Sequence, residues 1–243
     1  MRQVPQFERP YPYLIIGNGR LARHFRYYFT LLSVPHLHWS RGSGEEISPQ
    51  LAKAEKVLVL ISDDSIERFI EDHQEEGNTQ HCWIHCSGML STPLAESAHP
   101  LMTFASSLYD LLTYQSIPFV TEEGRKSFPE LFPELNNPHV AISSKQKNYY
   151  HAWCSMAGNF TTILWQEFLK RLENEFHIDK ELAFPYMNQV MRNIKCEENS
   201  ITGPLARGDW MTVKKHQESL TNDAFRSVYE AFINIYKSSR SGY

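Results

Sequence analysis

Gly17-Asn18-Gly19-Arg20-Leu21-Ala22 is the stretch of this chain whose residue types and spacing most directly suggest chemistry. A glycine that turns tightly, a second that leaves space beside the backbone and a small residue three places on form the pattern that lays a pyrophosphate on a helix N-terminus. Gly17, Asn18, Gly19, Arg20 and Leu21 are therefore candidate cofactor contacts, and Ile61 and Ser62, at the end of a later apolar run, join them. Ser40 and Arg41 follow the second apolar run, where an acidic residue would hold the ribose hydroxyls of NAD; no acid occurs before Glu45. A hydroxyl and a guanidinium at that place suit the 2′-phosphate of NADP, which an Arg grips bidentately. A solvated Arg would leave the same trace, but the missing carboxylate and the present Arg point the same way, to NADP(H) as cofactor.

Other residues bear on a substrate. Ser87-Gly88 begins the loop after the apolar run Cys82–Cys86, the loop expected nearest a bound nicotinamide. His81, Cys82, His85 and Cys86 are metal-ligand types, yet on a strand the pleat separates His81 from the two cysteines, so no metal site is expected. His99, followed by Pro100, is read as a loop residue facing the cleft and as the candidate proton donor, since imidazole titrates near neutral pH; His151 is the second choice. In "ITGPLARGDWMTVKKH", Thr202-Gly203-Pro204 reads as a turn, Gly208 permits an unusual backbone angle and Asp209 caps the following helix. An Arg and an Asp fixed between two glycines, on a loop positioned by helices, make Thr202, Arg207 and Asp209 candidate substrate-binding residues.

Positioning these groups requires an ordered set of elements. Up to about Ser144, short apolar runs (Tyr13–Ile16, Leu37–Ser40, Val57–Ile61, Cys82–Cys86, Pro118–Thr121 and Val140–Ile142) alternate with helical stretches, the signature of a parallel sheet with crossover helices. Leu21, Phe25, Tyr28 and Leu32 fall at helical spacing directly after the glycine turn. Beyond Ser144 no strand is expected. Lys145–Phe176 would be ~48 Å long if fully helical, and helices are expected over Asp179–Lys195, Asp209–Leu220 and Asn222–Ser238. The fold class is thus an α/β Rossmann-like dinucleotide-binding domain, residues 11–143, followed by an all-α domain, residues 144–243.

Composition narrows the partners. A net charge of −4 without a long basic run argues against nucleic acid or an anionic membrane, leaving small molecules. No apolar run approaches the ~20 residues of a membrane span, Met1–Pro12 lacks the apolar core of a signal peptide, and four cysteines without framework spacing fit reduced thiols, so a cytoplasmic protein is expected. Trp153, Phe160, Ile163, Leu164 and Phe168 on the long helix carry more apolar surface than short helices can cover, which predicts a homodimer through the helical domain.

The GNGRLA turn, "HCSGML" followed by "HPLMTF", the Asn of "AGNF" and above all "TGPLARGD" resemble, from about Tyr13 to Tyr236, the Rossmann-like proteins whose C-terminal helical domain is of unknown function. These are relatives of pyrroline-5-carboxylate reductase and the β-hydroxyacid dehydrogenases. Some are implicated as alternative ketopantoate reductases, so the resemblance implies NADPH-dependent reduction of a small 2-keto acid, with the active site between the domains and dimers built by the helical halves. It implies contact of Ser87-Gly88 with a substrate carboxylate and places Asn159 where β-hydroxyacid dehydrogenases hold a substrate-binding Asn. Their catalytic Lys, four residues earlier, is Ser155 in this chain. The expected mechanism has Arg207 and Ser87 binding the carboxylate, Asn159 orienting the carbonyl oxygen and His99 or His151 donating the proton. The competing class is an NADP-binding sensor or assembly protein without turnover, favoured by the missing Lys. Pyrroline-5-carboxylate reduction is a third candidate, disfavoured because Arg-Gly-Asp replaces the small-residue loop associated with that enzyme.

Overall fold

The computed structural model describes residues 11–74 and 81–240. Residues 1–10, most of the stretch weighed as a signal peptide, lie outside the described residues.

β1 (Tyr11–Ile16) is an interior strand of the sheet, and its run of apolar residues reads as a strand buried on both faces. Because side chains alternate, Tyr13 and Ile15 enter one apolar cluster, with Phe25, Phe29, Phe119 and Phe132, while Leu14 and Ile16 enter another, with Val57, Val59, Ile66 and Ile70. α1 (Arg20–Leu31) turns Ala22, Phe25, Tyr28 and Phe29 into the first cluster, and Leu21 and Leu32 pack at its margin. Ala22, at the place of a third glycine, is fully buried. The chain continues through β2 (His36–Trp39), α2 (Ser48–Leu51), β3 (Ala54–Val59), α3 (Ile66–His73), β4 (Cys82–His85), β5 (Glu96–Pro100), α4 (Leu111–Ser116), β6 (Phe119–Glu122), α5 (Phe128–Leu131) and β7 (His139–Ile142).

These form a seven-stranded sheet in the order β2-β1-β3-β4-β5-β6-β7. Neighbours run parallel except β5 and β6, which are antiparallel, so the sheet is mixed rather than wholly parallel as the alternation of elements suggests. β5 is a strand the sequence reading misses. Glu-Ser-Ala-His-Pro has no β-branched residue and ends in a proline; pairing on both sides makes it a strand, whatever its weak intrinsic preference. His99 accordingly stands on a strand opposite Val120, not in a loop.

α6 (Lys147–Ser155), a π-turn at Met156–Phe160 and α7 (Thr161–Asn174) make the long helical stretch, which is continuous but not a regular α-helix. The compact units divide between Leu164 and Trp165, later than the end of the last strand near residue 143. The reason lies in Lys147. This buried residue ties α6 to the sheet, its Nζ donating to Leu90 O, to Ser97 Oγ at 2.6 Å and to Glu122 Oε1 at 2.8 Å.

The second unit holds the rest of α7 with α8 (Phe184–Cys196), α9 (Gly203–Arg207), α10 (Trp210–Ser219) and α11 (Arg226–Arg240). Leu172, Ala183, Val213 and Ile233 are buried within the chain, and Arg171 donates to both oxygens of Asp223 and to Glu167. Thr202-Gly203-Pro204, expected as a turn, starts the short helix α9, with Thr202 as N-cap and Gly208, at φ 68°, closing its C-terminus. Asp209 caps α10 as expected, accepting from Thr212 N at 3.1 Å.

Candidate active site

Where β1 feeds α1 on one side and β3 lies on the other, the connections leave the sheet in opposite senses. A crevice at that switch point is where open α/β sheets bind ligands. The structure has a cleft of about 1250 Å³ there, entirely within the α/β unit. That exceeds the ~300–1000 Å³ of ordinary small-molecule sites and accommodates a dinucleotide.

Its floor is built from the glycine turn. Gly17 has φ 116°, and a Cβ there would stand 2.2 Å from the carbonyl oxygen of Leu60, so only glycine allows β1 to turn this close to β3. The Gly17 N–H donates to Trp39 O at 2.9 Å, and its carbonyl accepts from His38 Nε2 at 2.8 Å. His38 is thereby fixed as the Nε2–H tautomer, and burial lowers its pKa, partly offset by that hydrogen bond. Gly19 differs: among the described residues nothing lies within 4 Å of where its Cβ would be, and it is the N-cap of α1, whose first amides have no intrahelical partner and can meet an anion.

Asn18, Arg20, Leu21, Ser40, Arg41, Ile61 and Ser62 all line this cleft. Among the described residues no carboxylate lies within ion-pair distance of Arg20 or Arg41, whereas Arg68, further along, is beside Asp72 at 3.7 Å. The other end is lined by Asp63, Cys86, Ser87, Met102, Thr103, Phe104 and Asn159. Asn159 projects from the π-turn, a distortion that often marks functional positions in helices.

Ser87 is committed to its own loop. Its Oγ donates to Asp63 Oδ2 at 2.5 Å and accepts from Leu90 N at 3.0 Å and Met89 N at 3.3 Å. One donor and two lone pairs are then used, so the hydroxyl has nothing left for a substrate carboxylate.

Gly88, His99 and His151 form no part of the cleft wall; they pack on one another. A Cβ on Gly88 would fall 2.9 Å from the His151 ring, and the His99 and His151 ring centroids are 5.5 Å apart. His99 Nδ1 is hydrogen-bonded to Tyr150 OH at 3.0 Å. Burial, reinforced by His151 and Lys147, lowers the His99 pKa to about 4, so the residue expected to donate a proton from the cleft is a neutral imidazole away from it. Deeper still, His85 is wholly buried and accepts from Ser87 N at 3.2 Å through Nδ1, while its Nε2 has no partner among the described residues; burial and then Lys147 lower its pKa to about 4.

Among the described residues no group of three or more His, Cys, Asp or Glu could hold a metal ion, and all four cysteines are free thiols. On the helical unit, Arg207 is exposed and both oxygens of Asp209 are engaged by Thr212, at 3.1 Å from its N and 2.7 Å from its Oγ1, so Asp209 makes no ion pair that fixes the Arg207 guanidinium. Sequence reasoning missed Asp63, Trp39 and Met102–Phe104 as cleft residues. For Asp63 a signal existed, since it follows Ser62 in the same polar step after the third apolar run.

Residues 117–234 match a family described as a domain of unknown function, DUF2520. No curated protein matches the chain. Solved structures share the fold. A Bacteroides fragilis protein provisionally named an NADP oxidoreductase superposes with a TM-score of 0.76 at 18% identity, covering 93% of this chain and 97% of its own. The Thermotoga maritima protein TM1727 gives 0.66 at 22% identity, with 93% and 97% covered. Plasmodium falciparum pyrroline carboxylate reductase, solved with NADP bound, gives 0.61 at 9% identity, with 96% and 98% covered. The chain therefore has the Rossmann-like α/β fold followed by a helical region that these structures share.

Proposed function

We propose that this protein is an NADP-dependent reductase acting on a C=O or C=N bond of a small molecule. The observation that carries the proposal is the cleft itself: a glycine turn with open space over Gly19, opposite Ser40 and Arg41 and with no acid at the end of β2. These residues fit NADP. Gly17 makes the turn, Gly19 and the first amides of α1 receive the pyrophosphate, Ser40 and Arg41 hold the 2′-phosphate, and Ile61 and Ser62 line the path toward the nicotinamide. When bound, the reduced cofactor supplies the two electrons and the hydrogen that the substrate carbon gains. Asn159 orients the substrate from the π-turn, and Cys86, a thiol whose pKa burial and then Asp63 raise, stays protonated in the wall.

The narrower expectation, a 2-keto acid such as ketopantoate, asks Ser87 to hydrogen-bond the substrate carboxylate. With the Ser87 hydroxyl saturated and a carboxylate at its side, the proposal extends to C=N compounds as well. Thr202, Arg207 and Asp209 are proposed substrate contacts of the helical unit. The same reading includes a homodimer, supported by the exposure of Trp153, Phe160 and Ile163 to more than half of their surface. Multi-angle light scattering at micromolar concentration tests it, and a monomer refutes it.

Cofactor titration by fluorescence tests the main proposal. Gly19→Val should abolish NADPH binding in a folded protein, because the valine fills space that nothing else occupies. Arg41→Ala should weaken NADPH by about 1.5–3 kcal/mol and leave NADH nearly unchanged, the loss of one charge-assisted contact. Unaltered NADPH affinity in Gly19→Val, or equal losses for both nucleotides in Arg41→Ala, refutes the assignment.

A further inference from the structure

Charge is unevenly divided along the cleft. Arg20 and Arg41 stand beside the turns that follow β1 and β2, the end that takes the adenosine and phosphates in this topology. The turns directly after β3 and β4, at the nicotinamide end, contribute Ile61, Ser62, Asp63, Cys86 and Ser87 to the cleft lining, with Asp63 the charged group among them; Arg68, further along on α3, also lines the cleft and stands beside Asp72 at 3.7 Å. Asp63 follows Ser62 at the start of a short 3-10 turn and is exposed on the cleft wall. Ser87, 24 residues away in the chain, hydrogen-bonds Asp63 Oδ2 and anchors the carboxylate; no hydrogen bond or ion pair engages Oδ1 among the described residues. The buried ammonium of Lys147 is matched by Glu122 at 2.8 Å and forms no ion pair with Asp63.

A second observation concerns protons. A neutral ketone must gain a proton on oxygen as its carbon is reduced, which calls for an acid in the cleft wall. Beside Asp63, the wall at this end offers Ser87, Thr103, Asn159 and the Cys86 thiol, whose pKa burial and then Asp63 raise so that it holds its proton, and both candidate imidazoles lie outside it. A protonated C=N compound brings its proton with it. As the new C–H bond forms, the C=N π electrons move onto the nitrogen that already carries the proton; the product is an amine, and the reduced nicotinamide cofactor is the species oxidised.

We propose that Asp63, braced by Ser87, is the subsite for a cationic nitrogen, so that the substrate class of this cleft is protonated imines rather than 2-keto acids. The assignment rests on the reductase reading above. Local charge supports it: an anionic side chain attracts an iminium and repels a 2-keto acid carboxylate placed at the same spot.

Calorimetric titration of the NADP⁺-loaded protein separates the two. Piperidinium, the protonated product of reducing a six-membered cyclic imine, is the probe, and lactate is its counterpart for keto acids. Piperidinium should bind and lactate should not. Asp63→Asn keeps an acceptor for Ser87 while removing the charge, and should weaken piperidinium at least ~10-fold, about 1.4 kcal/mol, with NADP⁺ affinity unchanged. NADPH oxidation with Δ1-piperideine and with pyruvate gives a second readout, expected for the imine alone. Wild-type protein that fails to bind NADP⁺ overturns the reductase reading and this proposal with it. Protein that binds NADP⁺ but prefers lactate, or whose piperidinium affinity is untouched in Asp63→Asn, overturns this proposal alone.

Discussion

Lowering the pH from 7 toward 4 asks the folded chain to charge two imidazoles that it holds neutral. His85 and His99 titrate near 6.5 when unfolded and near 4 when folded, because burial penalises the charged ring in both, with Lys147 adding to the effect at His85, and His151 and then Lys147 at His99. Above pH 6.5 neither state binds a proton there and stability is unaffected. Between 6.5 and about 4 the unfolded chain takes protons that the folded chain refuses, so stability falls as pH falls; below about 4 both states are protonated and the loss levels off. At about 1.4 kcal/mol per pH unit the window amounts to about 3 kcal/mol for His85, with a smaller share from the partly exposed His99. Against a total stability of ~5–15 kcal/mol, that is a large fraction. Urea midpoints at pH 7.5, 6.5, 5.5 and 4.5 measure it, on wild type and on a His85→Asn, His99→Gln double variant. The variant starts less stable, yet its midpoint should fall less between pH 6.5 and 5, before most carboxylates titrate. Parallel curves for the two proteins, or NMR titration of both rings near 6.5 in the folded state, refute the reasoning.

Gly17→Ala places a methyl group against the Leu60 carbonyl and forces φ 116° on a residue with a side chain; a loss of about 2–5 kcal/mol follows from strain and overpacking together, read as a lower melting temperature. A variant as stable as wild type would show that the turn relaxes freely. Arg207→Lys should raise KM at least ~10-fold for a substrate that carries a carboxylate, with NADPH affinity unchanged, since the planar fork is lost and the charge kept; unchanged KM with such a substrate removes Arg207 from the site. Asp209→Ala should destabilise by roughly 1 kcal/mol through loss of the Thr212 cap, and an undiminished urea midpoint counts against that role.

What was legible in the chain follows from how local each feature is. Apolar continuity declared β1, the glycine turn declared the start of α1, and the residue types after β2 declared Ser40 and Arg41, because each depends on neighbours a few residues away. β5 could not be read that way. Its strand state comes from β4 and β6 on either side, and the same pairing carries His99 out of the loop it was assigned to and into a position against Tyr150 and His151. Lys147 looks like any lysine at a helix start, and only the fold reveals it as a buried cation satisfied by Glu122, Ser97 and the Leu90 carbonyl. Ser87 was found in the right loop but given the wrong task, since its donor and both lone pairs are claimed by Asp63 and by two amides of its own turn.

The two ends of the cleft differ in this respect for a physical reason. A phosphate is recognised by backbone amides at a helix start and by long, exposed cationic side chains, and a short motif can encode both without help from the rest of the fold. A substrate is recognised by side chains whose charge and hydrogen-bonding capacity are fixed by partners far away in sequence: Ser87 fixes Asp63, and the same kind of distant pairing takes His99 out of the cleft wall against Tyr150 and Gly88 against the ring of His151. Each of those pairings changes what the residue can offer a ligand without changing its identity. Substitution of the partner should therefore alter substrate preference while leaving the nucleotide grip intact. Ser87→Ala is the sharpest case: it frees Asp63 Oδ2 and unties the Met89 and Leu90 amides, so substrate affinity should change with the loop while the NADPH dissociation constant stays within about twofold, ~0.4 kcal/mol. A loss of NADPH binding as large as that of substrate would mean that the two ends of the cleft are held together by the Ser87 loop rather than built separately.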